Sequence, residues 1–380
     1  DPVFVKALAK CNYKDLPDDD LYSFIIHGVH PEYISQLQKR GYKDIPNSQL
    51  IKMGIHNVST EYIDKISKLG YNELTPNKLV EMRIHDVTPD YISALKELNM
   101  EFSINDIIKF RKLELEVTFL ENLIELGYND FNINTIVELQ VHNVTIPFIK
   151  SIIKNYNERI PLGQIIKMKI QGVDSSFVKE MDSQGYGHLS VNRLIEFKIH
   201  GVEPEFIKEF EKLGYTNLSA NQLVELRIHN VKPEYISEIR SYGFNPELSE
   251  FVSMKIHGVS PDDFEDYKEL GLEISSIKEI LSLKIHNVSP EFIQDIQRLG
   301  FKDISIERLL EFRIHNVSPD YIQEIFEIGL KEISESQLVG FKIHGVSADF
   351  IRKLQAKGMK TLTPEKIVQA KIHGLLNFFE

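Results

Sequence analysis

The chain has few of the residues from which catalytic and metal sites are usually built. It has 380 residues with one cysteine, Cys11, and no tryptophan, so an intrachain disulfide and a cysteine-based zinc site are excluded. No apolar run approaches the roughly 18 residues of a membrane-spanning helix, and no signal peptide is recognisable. Lys and Arg total 44 against 56 Asp and Glu, a net charge of −12. We therefore expect neither membrane insertion of this region nor a nucleic-acid partner.

What the chain has in abundance is one repeated segment, with sequences such as FKIHGVS and LKIHNVS. Its histidine recurs with a period of 29 residues, at His27, His56, His85, His142, His200, His229, His257, His286, His315, His344 and His373. Leu115 and Gln171 take the histidine position in two further units, with a slip in the spacing near Leu115. Thirteen repeats therefore occupy essentially the whole chain, and a fixed period of this size is typical of a repeat architecture.

Residues 203–231 show how one repeat is built. Pro204 suits the first position of a helix, and an apolar stripe follows at Phe206, Ile207, Phe210 and Leu213. Gly214 ends this first helix, and the equivalent residue is Gly in ten repeats and Asn in three, at Asn12, Asn99 and Asn155. Gly and Asn are the residues that best accept the left-handed conformation after a helix. The pattern predicts an amphipathic helix of about three turns.

A second helix follows in the same repeat. Ser219 can cap it in a capping box with Gln222, and the apolar residues Leu223, Val224, Leu226 and Ile228 spread over a wide arc that predicts contacts on several sides. In FKIHGV, we predict His344 as the C-cap, Gly345 as the left-handed residue and Val346 packing back on Phe341, as in a Schellman motif. Basic residues two positions before the histidine suit the negative end of the helix dipole.

Two-helix units of this size bury their apolar stripes only by stacking on one another. We therefore predict an all-α fold, a right-handed α-solenoid of about thirteen 29-residue repeats that form a single domain over residues 1–380, with irregular repeats at about 99–171. The chain begins directly at a helix start without a polar capping repeat, so we expect it to be a piece of a longer protein. Leu375, Leu376, Phe378 and Phe379 make an apolar tail.

The repeated histidine has four candidate roles. Zinc needs ligand nitrogens about 2.0–2.1 Å from the metal, whereas equivalent histidines belong to repeats roughly 8–10 Å apart. Catalysis needs unlike groups in one place, which identical histidines do not supply. A structural helix cap is the favoured interpretation, with a collective response to pH as the alternative. We predict no metal, cofactor or catalytic residue, and we expect most of these rings to be partly buried and bonded to neighbouring backbone groups.

The pattern SPEFIQDIQRLGFKDISIERLLEFRIHNV at residues 289–317 resembles a known family. It is similar to the tandem two-helix repeats downstream of the membrane zinc metallopeptidase in antirepressor proteins of the beta-lactam-sensing regulator type, notably from Bacteroidetes. The resemblance covers nearly the whole chain and implies a sensor or interaction region in the bacterial cell envelope, on the side facing away from the cytoplasm. The peptidase's His-Glu-x-x-His motif is absent from this sequence, so no catalytic residue carries over.

Two classes of function remain open on the sequence alone. The first is a non-enzymatic interaction or sensor scaffold that binds a protein or peptide; the second is a ligand-binding protein or an enzyme with a site in irregular repeats. Departures from the repeat cluster between Asn99 and Gln171, a stretch rich in aromatic side chains of the kind that interfaces favour. The candidate partner-binding residues there are Met100, Phe102, Phe110, Arg111, Phe119, Phe131, Phe148 and Tyr156.

Overall fold

The computed structural model describes residues 2–359 and 362–375, and in these residues every regular element is a helix. The thirteen repeats supply 26 α-helices, two from each repeat, and no strand occurs in the described chain. This confirms the all-α class and is consistent with a helical repeat solenoid. The hand of the superhelix stays a prediction. The apolar tail from residue 376 onward lies outside the described residues.

The helices alternate as first and second helices of successive repeats. The first helices are α1 Pro2–Lys10, α3 Pro31–Lys39, α5 Thr60–Lys68, α7 Pro89–Glu97, α9 Val117–Glu125, α11 Ile146–Ile153, α13 Ser175–Met181, α15 Pro204–Lys212, α17 Pro233–Ser241, α19 Asp262–Glu269, α21 Pro290–Arg298, α23 Pro319–Glu327 and α25 Ala348–Ala356. The second helices are α2 Asp18–Ile26, α4 Asn47–Ile55, α6 Pro76–Ile84, α8 Ile104–Lys112, α10 Ile133–Val141, α12 Leu162–Ile170, α14 Val191–His200, α16 Ala220–Ile228, α18 Leu248–Ile256, α20 Ile277–Ile285, α22 Ile306–Ile314, α24 Glu335–Ile343 and α26 Pro364–Ile372.

The repeat at residues 203–231 folds as its sequence predicts. Pro204 is the first residue of α15, and Phe206, Ile207 and Phe210 are buried. The Ser219 side chain accepts a hydrogen bond from the Gln222 backbone N–H while the Gln222 side chain bonds the Ser219 backbone. This reciprocal capping box satisfies backbone donors that an uncapped helix leaves open.

Both predicted helix stops are present. In the last turn of α24, Val346 N–H donates to the Phe341 carbonyl at 2.8 Å and Gly345 N–H donates to the Lys342 carbonyl at 3.1 Å, which together make the Schellman motif. The residue after the C-cap position has a positive φ in all thirteen repeats: Gly28, Asn57, Asp86, Glu114, Asn143, Gly172, Gly201, Asn230, Gly258, Asn287, Asn316, Gly345 and Gly374. The stop is therefore the most regular feature of the fold.

One detail of the predicted alignment is wrong. In the fourth repeat the C-cap is Leu113, not Leu115, since Glu114 takes the left-handed conformation and Leu115 N–H donates to the Phe110 carbonyl. The seventh first helix, α13, follows the prediction, since Gly185 has φ 88° and is the left-handed stop of this repeat.

The prediction for Asn155 is also wrong, because this residue does not take the left-handed conformation. The C-cap before it, Lys154, has φ −60° and ψ −23°, and Asn155 is not among the residues with positive φ. Its side-chain amide instead donates to the Ser151 carbonyl at 2.9 Å and to the Ser175 hydroxyl at 3.0 Å. At this helix end, a side-chain amide bonds the last carbonyls. In the other twelve repeats, a residue with positive φ ends the first helix.

The chain groups into two compact units, residues 1–195 and 196–380, with the boundary inside α14. Within the first unit, first helices pack on first helices, as α3 does on α5, and second helices pack on second helices, as α2 does on α4. The second unit repeats the scheme, with α21 on α23 and α20 on α22. Stacking of like on like buries the apolar stripe of each helix. None of the described helices is long and apolar enough to cross a membrane.

Candidate interaction surface

A row of exposed apolar side chains runs along the second helices of each unit. It consists of the residue just before the C-cap: Ile26, Ile55, Ile84, Val141, Ile170, Ile199, Ile228, Ile256, Ile285, Ile314, Ile343 and Ile372. We call this set the isoleucine row. Its members are between 46% exposed, at Ile55, and 59% exposed, at Val141. Outside the first repeat, the described chain exposes no other large apolar side chain to this degree.

The sequence pattern predicts that the residue before the C-cap is buried, and this prediction is wrong. Ile228 was expected to share the buried arc of α16, but it is 55% exposed while Leu223, Val224 and Leu226 are buried. The burial of an isoleucine side chain gains about 1.5–3 kcal/mol. Each half-exposed member of the isoleucine row therefore leaves roughly half of that gain unused. Stability alone does not explain why the position keeps isoleucine.

Comparison with a neighbouring surface position sharpens the point. The residue three positions before the isoleucine lies on the same helix face, and across the repeats it is Ser, Lys, Glu, Gly or Gln. Glu225, Ser282 and Gly340 are examples. The residue type at this position varies from repeat to repeat, whereas the position three residues later is isoleucine in eleven of the thirteen repeats. All repeats share the same packing, so each can be compared with the others. An exposed residue that is nearly constant beside a variable one indicates a requirement other than packing.

The repeated histidines form a second row directly beside the first, which we call the histidine row. Ten of them are the C-caps of their helices, and His200 is the last residue of α14. None is fully buried. His27, His56, His85, His229 and His315 are half-buried, and His142, His200, His257, His286, His344 and His373 are exposed.

The prediction that most of these rings bond backbone groups is wrong. In the described chain only the His373 ring is within hydrogen-bond distance of a partner, with Nε2 3.1 Å from the Gln369 side-chain oxygen. The position at the helix end is structural, but it is the backbone of the residue that makes the stop. The rings themselves lie at the surface beside the isoleucine row, where they are available to a partner.

The basic residues two positions before the C-cap have a structural use that the sequence did not predict. They stack over the aromatic residue of the first helix of their own repeat, in the pairs Arg83–Tyr62, Arg111–Tyr91, Lys169–Phe148, Arg227–Phe206, Lys255–Tyr235, Arg313–Phe292, Lys342–Tyr321 and Lys371–Phe350. Arg227 lies 4.0 Å and Lys255 3.8 Å from the ring centroid. Arg83 and Arg313 also donate to the carbonyls of His56 and His286 in the preceding repeat. These cations join helices within and between repeats.

Where the stacked aromatic residue is tyrosine, its hydroxyl donates a hydrogen bond to a carbonyl in the turn after the second helix. Tyr62 donates to the Val87 carbonyl and Tyr321 to the Val346 carbonyl, both at 2.8 Å. Tyr91 donates to the Leu115 carbonyl at 2.8 Å, and burial raises the pKa of Tyr91 to about 12. Burial raises the pKa of Tyr62 and Tyr321 as well. A tyrosine hydroxyl is already protonated at neutral pH, and burial keeps these hydroxyls protonated donors in more alkaline solution as well.

One repeat replaces the cation–aromatic pair by an ion pair. Asp263 occupies the aromatic position of α19 and is 7% exposed, and Lys284 Nζ lies 2.8 Å from its Oδ1. The tyrosine hydroxyl is supplied from one turn later, where Tyr267 donates to the Val288 carbonyl at 2.8 Å. Different residues thus make the contact between the first helix and the end of the second helix in this repeat. The fold needs this contact but not one particular residue type.

The residues predicted to bind a partner in the irregular stretch are not brought together as an exposed patch. Phe102, Phe110 and Phe131 are 6%, 0% and 7% exposed and belong to the core. This is a correction, and its reason is that they fill the apolar positions on which the repeats stack. Met100, Arg111, Phe119, Phe148 and Tyr156 are half-buried. Arg111 lies over the Tyr91 ring, with its guanidinium 3.0 Å from the Asp86 carboxylate, so it is already engaged.

The described residues contain no metal site, and a cavity that they line between two repeats is open to solvent. No group of three His, Cys, Asp or Glu side chains comes together there as a metal site. A cavity of about 630 Å³ between the second and third repeats is lined by Tyr42, Tyr71 and the ion pair of Arg40 with Asp64 at 2.6 Å, and it is open to solvent. No protein-family model matches this chain, and no curated protein sequence matches it either. The isoleucine and histidine rows are the candidate site that the exposure of their side chains supports.

Proposed function

We propose that this chain is a non-enzymatic scaffold that binds a protein partner along the isoleucine and histidine rows. The observation that supports the proposal is an isoleucine kept in eleven of thirteen repeats at a position where half of its surface is left in water. Exposed apolar rows flanked by polar groups are typical of protein interaction sites. The resemblance to the repeat regions of antirepressor proteins is the basis for proposing a cell-envelope location and a sensor role.

The rows suit a long partner better than a small molecule. Ten of the thirteen second helices add one isoleucine and one histidine, so the surface grows with the number of repeats, as the extended binding faces of solenoid proteins do. The contribution of each repeat is small, and affinity comes from several repeats acting together. A partner that covers only one repeat would bind weakly.

The test compares two triple variants of the full chain, both in α20, α22 and α24. The row variant is Ile285→Ser, Ile314→Ser and Ile343→Ser. The control variant is Lys278→Ala, Glu307→Ala and Ser336→Ala, which changes three exposed residues at the other end of the same helices. Proteins retained from a bacterial envelope extract are identified by mass spectrometry, and the affinity of each purified candidate is then measured by calorimetry.

We expect the row variant to bind the identified partner at least about tenfold more weakly, a loss of about 1.4 kcal/mol. The control variant should bind within about twofold of the parent chain, since a rim residue contributes little. Equal binding by the row variant would reject the proposed surface. A change of thermal midpoint in either variant would identify a folding defect.

A further inference from the structure

The second unit carries a row of carboxylates at the same edge as the isoleucine row. They lie in the first turn of its first helices: Glu205, Glu234, Asp262, Glu291, Asp320 and Asp349. We call these six residues the acidic row, and all six are exposed. Each first helix starts about four residues after the C-cap of the preceding second helix. Since side chains tilt toward the N-terminus of a helix, these carboxylates project toward the edge where the second helices end.

Two ion pairs join the last turns of second helices, which carry the isoleucine row, to the starts of first helices, which carry the acidic row. Lys198 in the last turn of α14 lies 2.9 Å from the carboxylate of Glu203, the residue before α15. Lys284 in the last turn of α20 reaches Asp263 in the first turn of α19. The last turn of a second helix and the first turn of a first helix therefore lie within one side-chain length of each other.

Much of the negative charge of the acidic row is uncompensated. In the described chain, no Lys, Arg or His nitrogen lies within 4.0 Å of the carboxylates of Glu234, Asp262 or Asp320. Two cations in the last turns of second helices, Lys255 and Lys342, are stacked over aromatic rings. An apolar row beside free carboxylates is complementary to a partner that is both apolar and cationic.

Helix stability alone does not require this charge. An acidic residue in the first turn favours the positive end of a helix dipole, but α9, α11 and α13 of the first unit have none there. The equivalent residues are Thr118, Pro147 and Ser176. The first unit has such carboxylates only in its early repeats, at Glu32, Glu61 and Asp90. Only the second unit has a carboxylate in every first helix.

We infer that the isoleucine and acidic rows of the second unit bind an extended cationic segment in which Lys or Arg alternates with aliphatic residues. This inference rests on the proposed scaffold function and specifies the chemistry of its partner. The aliphatic side chains contact the isoleucine row while the cations reach the acidic row. Apolar segments with negative charge are rejected by the same carboxylates.

The experiment uses the full chain and labelled synthetic peptides followed by fluorescence anisotropy. An extended peptide of about 15 residues spans roughly 50 Å, or about five packed helices. One peptide is built of Leu-Lys-Ser triplets, a second of Leu-Glu-Ser triplets and a third of Ser-Lys-Ser triplets. We expect saturable binding of the first peptide only, with affinity that falls as NaCl is raised, because exposed charges are screened.

A matched pair of variants tests whether the carboxylates that bind the peptide are those of the acidic row. Glu291→Gln, Asp320→Asn and Asp349→Asn removes three carboxylates from the acidic row. Glu273→Gln, Asp303→Asn and Glu332→Gln makes the same change of net charge on exposed residues of the loops between first and second helices. We expect the first variant to bind the Leu-Lys-Ser peptide at least about tenfold more weakly and the second to bind within about twofold of the parent. A third variant, with Glu32→Gln, Glu61→Gln and Asp90→Asn, should also bind within about twofold.

Several results would overturn the inference. They are equal binding of the Leu-Glu-Ser peptide, no saturable binding of the Leu-Lys-Ser peptide below about 100 μM, equal losses in the first two charge variants, or a loss in the third as large as in the first. Binding to vesicles of anionic lipid in place of the peptide would also count against it. If the natural partner needs the isoleucine row but not the acidic row, the scaffold proposal stands and this inference fails.

Discussion

The fourth repeat and the repeat at residues 203–231 end their second helices in the same way with different residues. In the regular repeat, His229 is the C-cap, Asn230 is left-handed and Val231 N–H donates to the Leu226 carbonyl at 2.8 Å. In the fourth repeat, Leu113, Glu114 and Leu115 take these three places, and Leu115 N–H donates to the Phe110 carbonyl at 2.9 Å. The stop therefore needs its backbone conformation and its buried apolar contact but not the histidine.

The same comparison applies to the exposed row. Lys112 stands where the regular repeat has Ile228, and α8 still ends at this residue. The sixth repeat, which has Gln171 as its C-cap, also forms the stop, with Gly172 at φ 72°. The isoleucine and the histidine are thus dispensable for folding in the repeats that lack them. Their presence in the other repeats is the reason to look for a partner there.

The largest expected effect concerns the aromatic residues of the irregular stretch. Phe110 is fully buried, so Phe110→Ala should lower the free energy of unfolding by about 3–5 kcal/mol. Phe119 is half-buried, and Phe119→Ala should cost less than about 2 kcal/mol. Urea unfolding of the two variants measures the difference. Equal costs would mean that Phe110 is not a core residue.

The next effect tests the left-handed stop of the regular repeat. Gly214 has φ +91° with open space around it, so a β-branched residue there is strained by its backbone and not by a clash. Gly214→Val should therefore lower the free energy of unfolding by about 1–3 kcal/mol. Lys212→Val in the exposed last turn of α15 is the control, with an expected cost below about 1 kcal/mol. A melting temperature for Gly214→Val equal to that of the control would refute the assignment.

Two asparagines at equivalent positions should respond in opposite ways to glycine. Asn99 has φ 55°, so Asn99→Gly should be neutral or slightly stabilising, since glycine accepts this conformation without strain. Asn155→Gly removes the bonds to Ser151 and Ser175 and should cost about 1 kcal/mol. Thermal unfolding of both variants decides between a backbone stop and a side-chain stop, and the same sign of change in both would contradict the distinction.

The smallest expected effect is at the histidine row. His229 is half-buried and its ring makes no hydrogen bond within the described residues, so His229→Ala should change the free energy of unfolding by less than about 0.5 kcal/mol. Leu113→His, which restores the regular residue in the fourth repeat, should be equally small. A loss above about 2 kcal/mol for His229→Ala would show that the ring stabilises the fold. Thermal midpoints of the two variants measure both.

The residues alone were sufficient to predict the local structure of the regular repeats. The period, the two helices, the capping box at Ser219 and the Schellman stop at Gly345 follow from rules that act within one helical turn. Such rules need no knowledge of what lies beside the turn. They failed where a local alternative existed, as at Asn155, whose side chain replaces the left-handed backbone. The misplaced stop at Leu115 arose because one residue is missing from that repeat and neither Leu113 nor Glu114 is typical of its position.

Which side chains reach solvent was decided only by the packing of repeat on repeat. Leu226 and Ile228 have similar hydrophobicity and lie two residues apart, yet the first is 1% and the second 55% exposed. The apolar arc of a second helix is too wide for its periodicity to separate the two, because neighbouring helices contact it on several sides. Phe110 is fully buried, and the ring centroid of Phe102 lies 5.1 Å from its own. Burial is a property of two packed surfaces, whereas a helix cap is a property of one short segment.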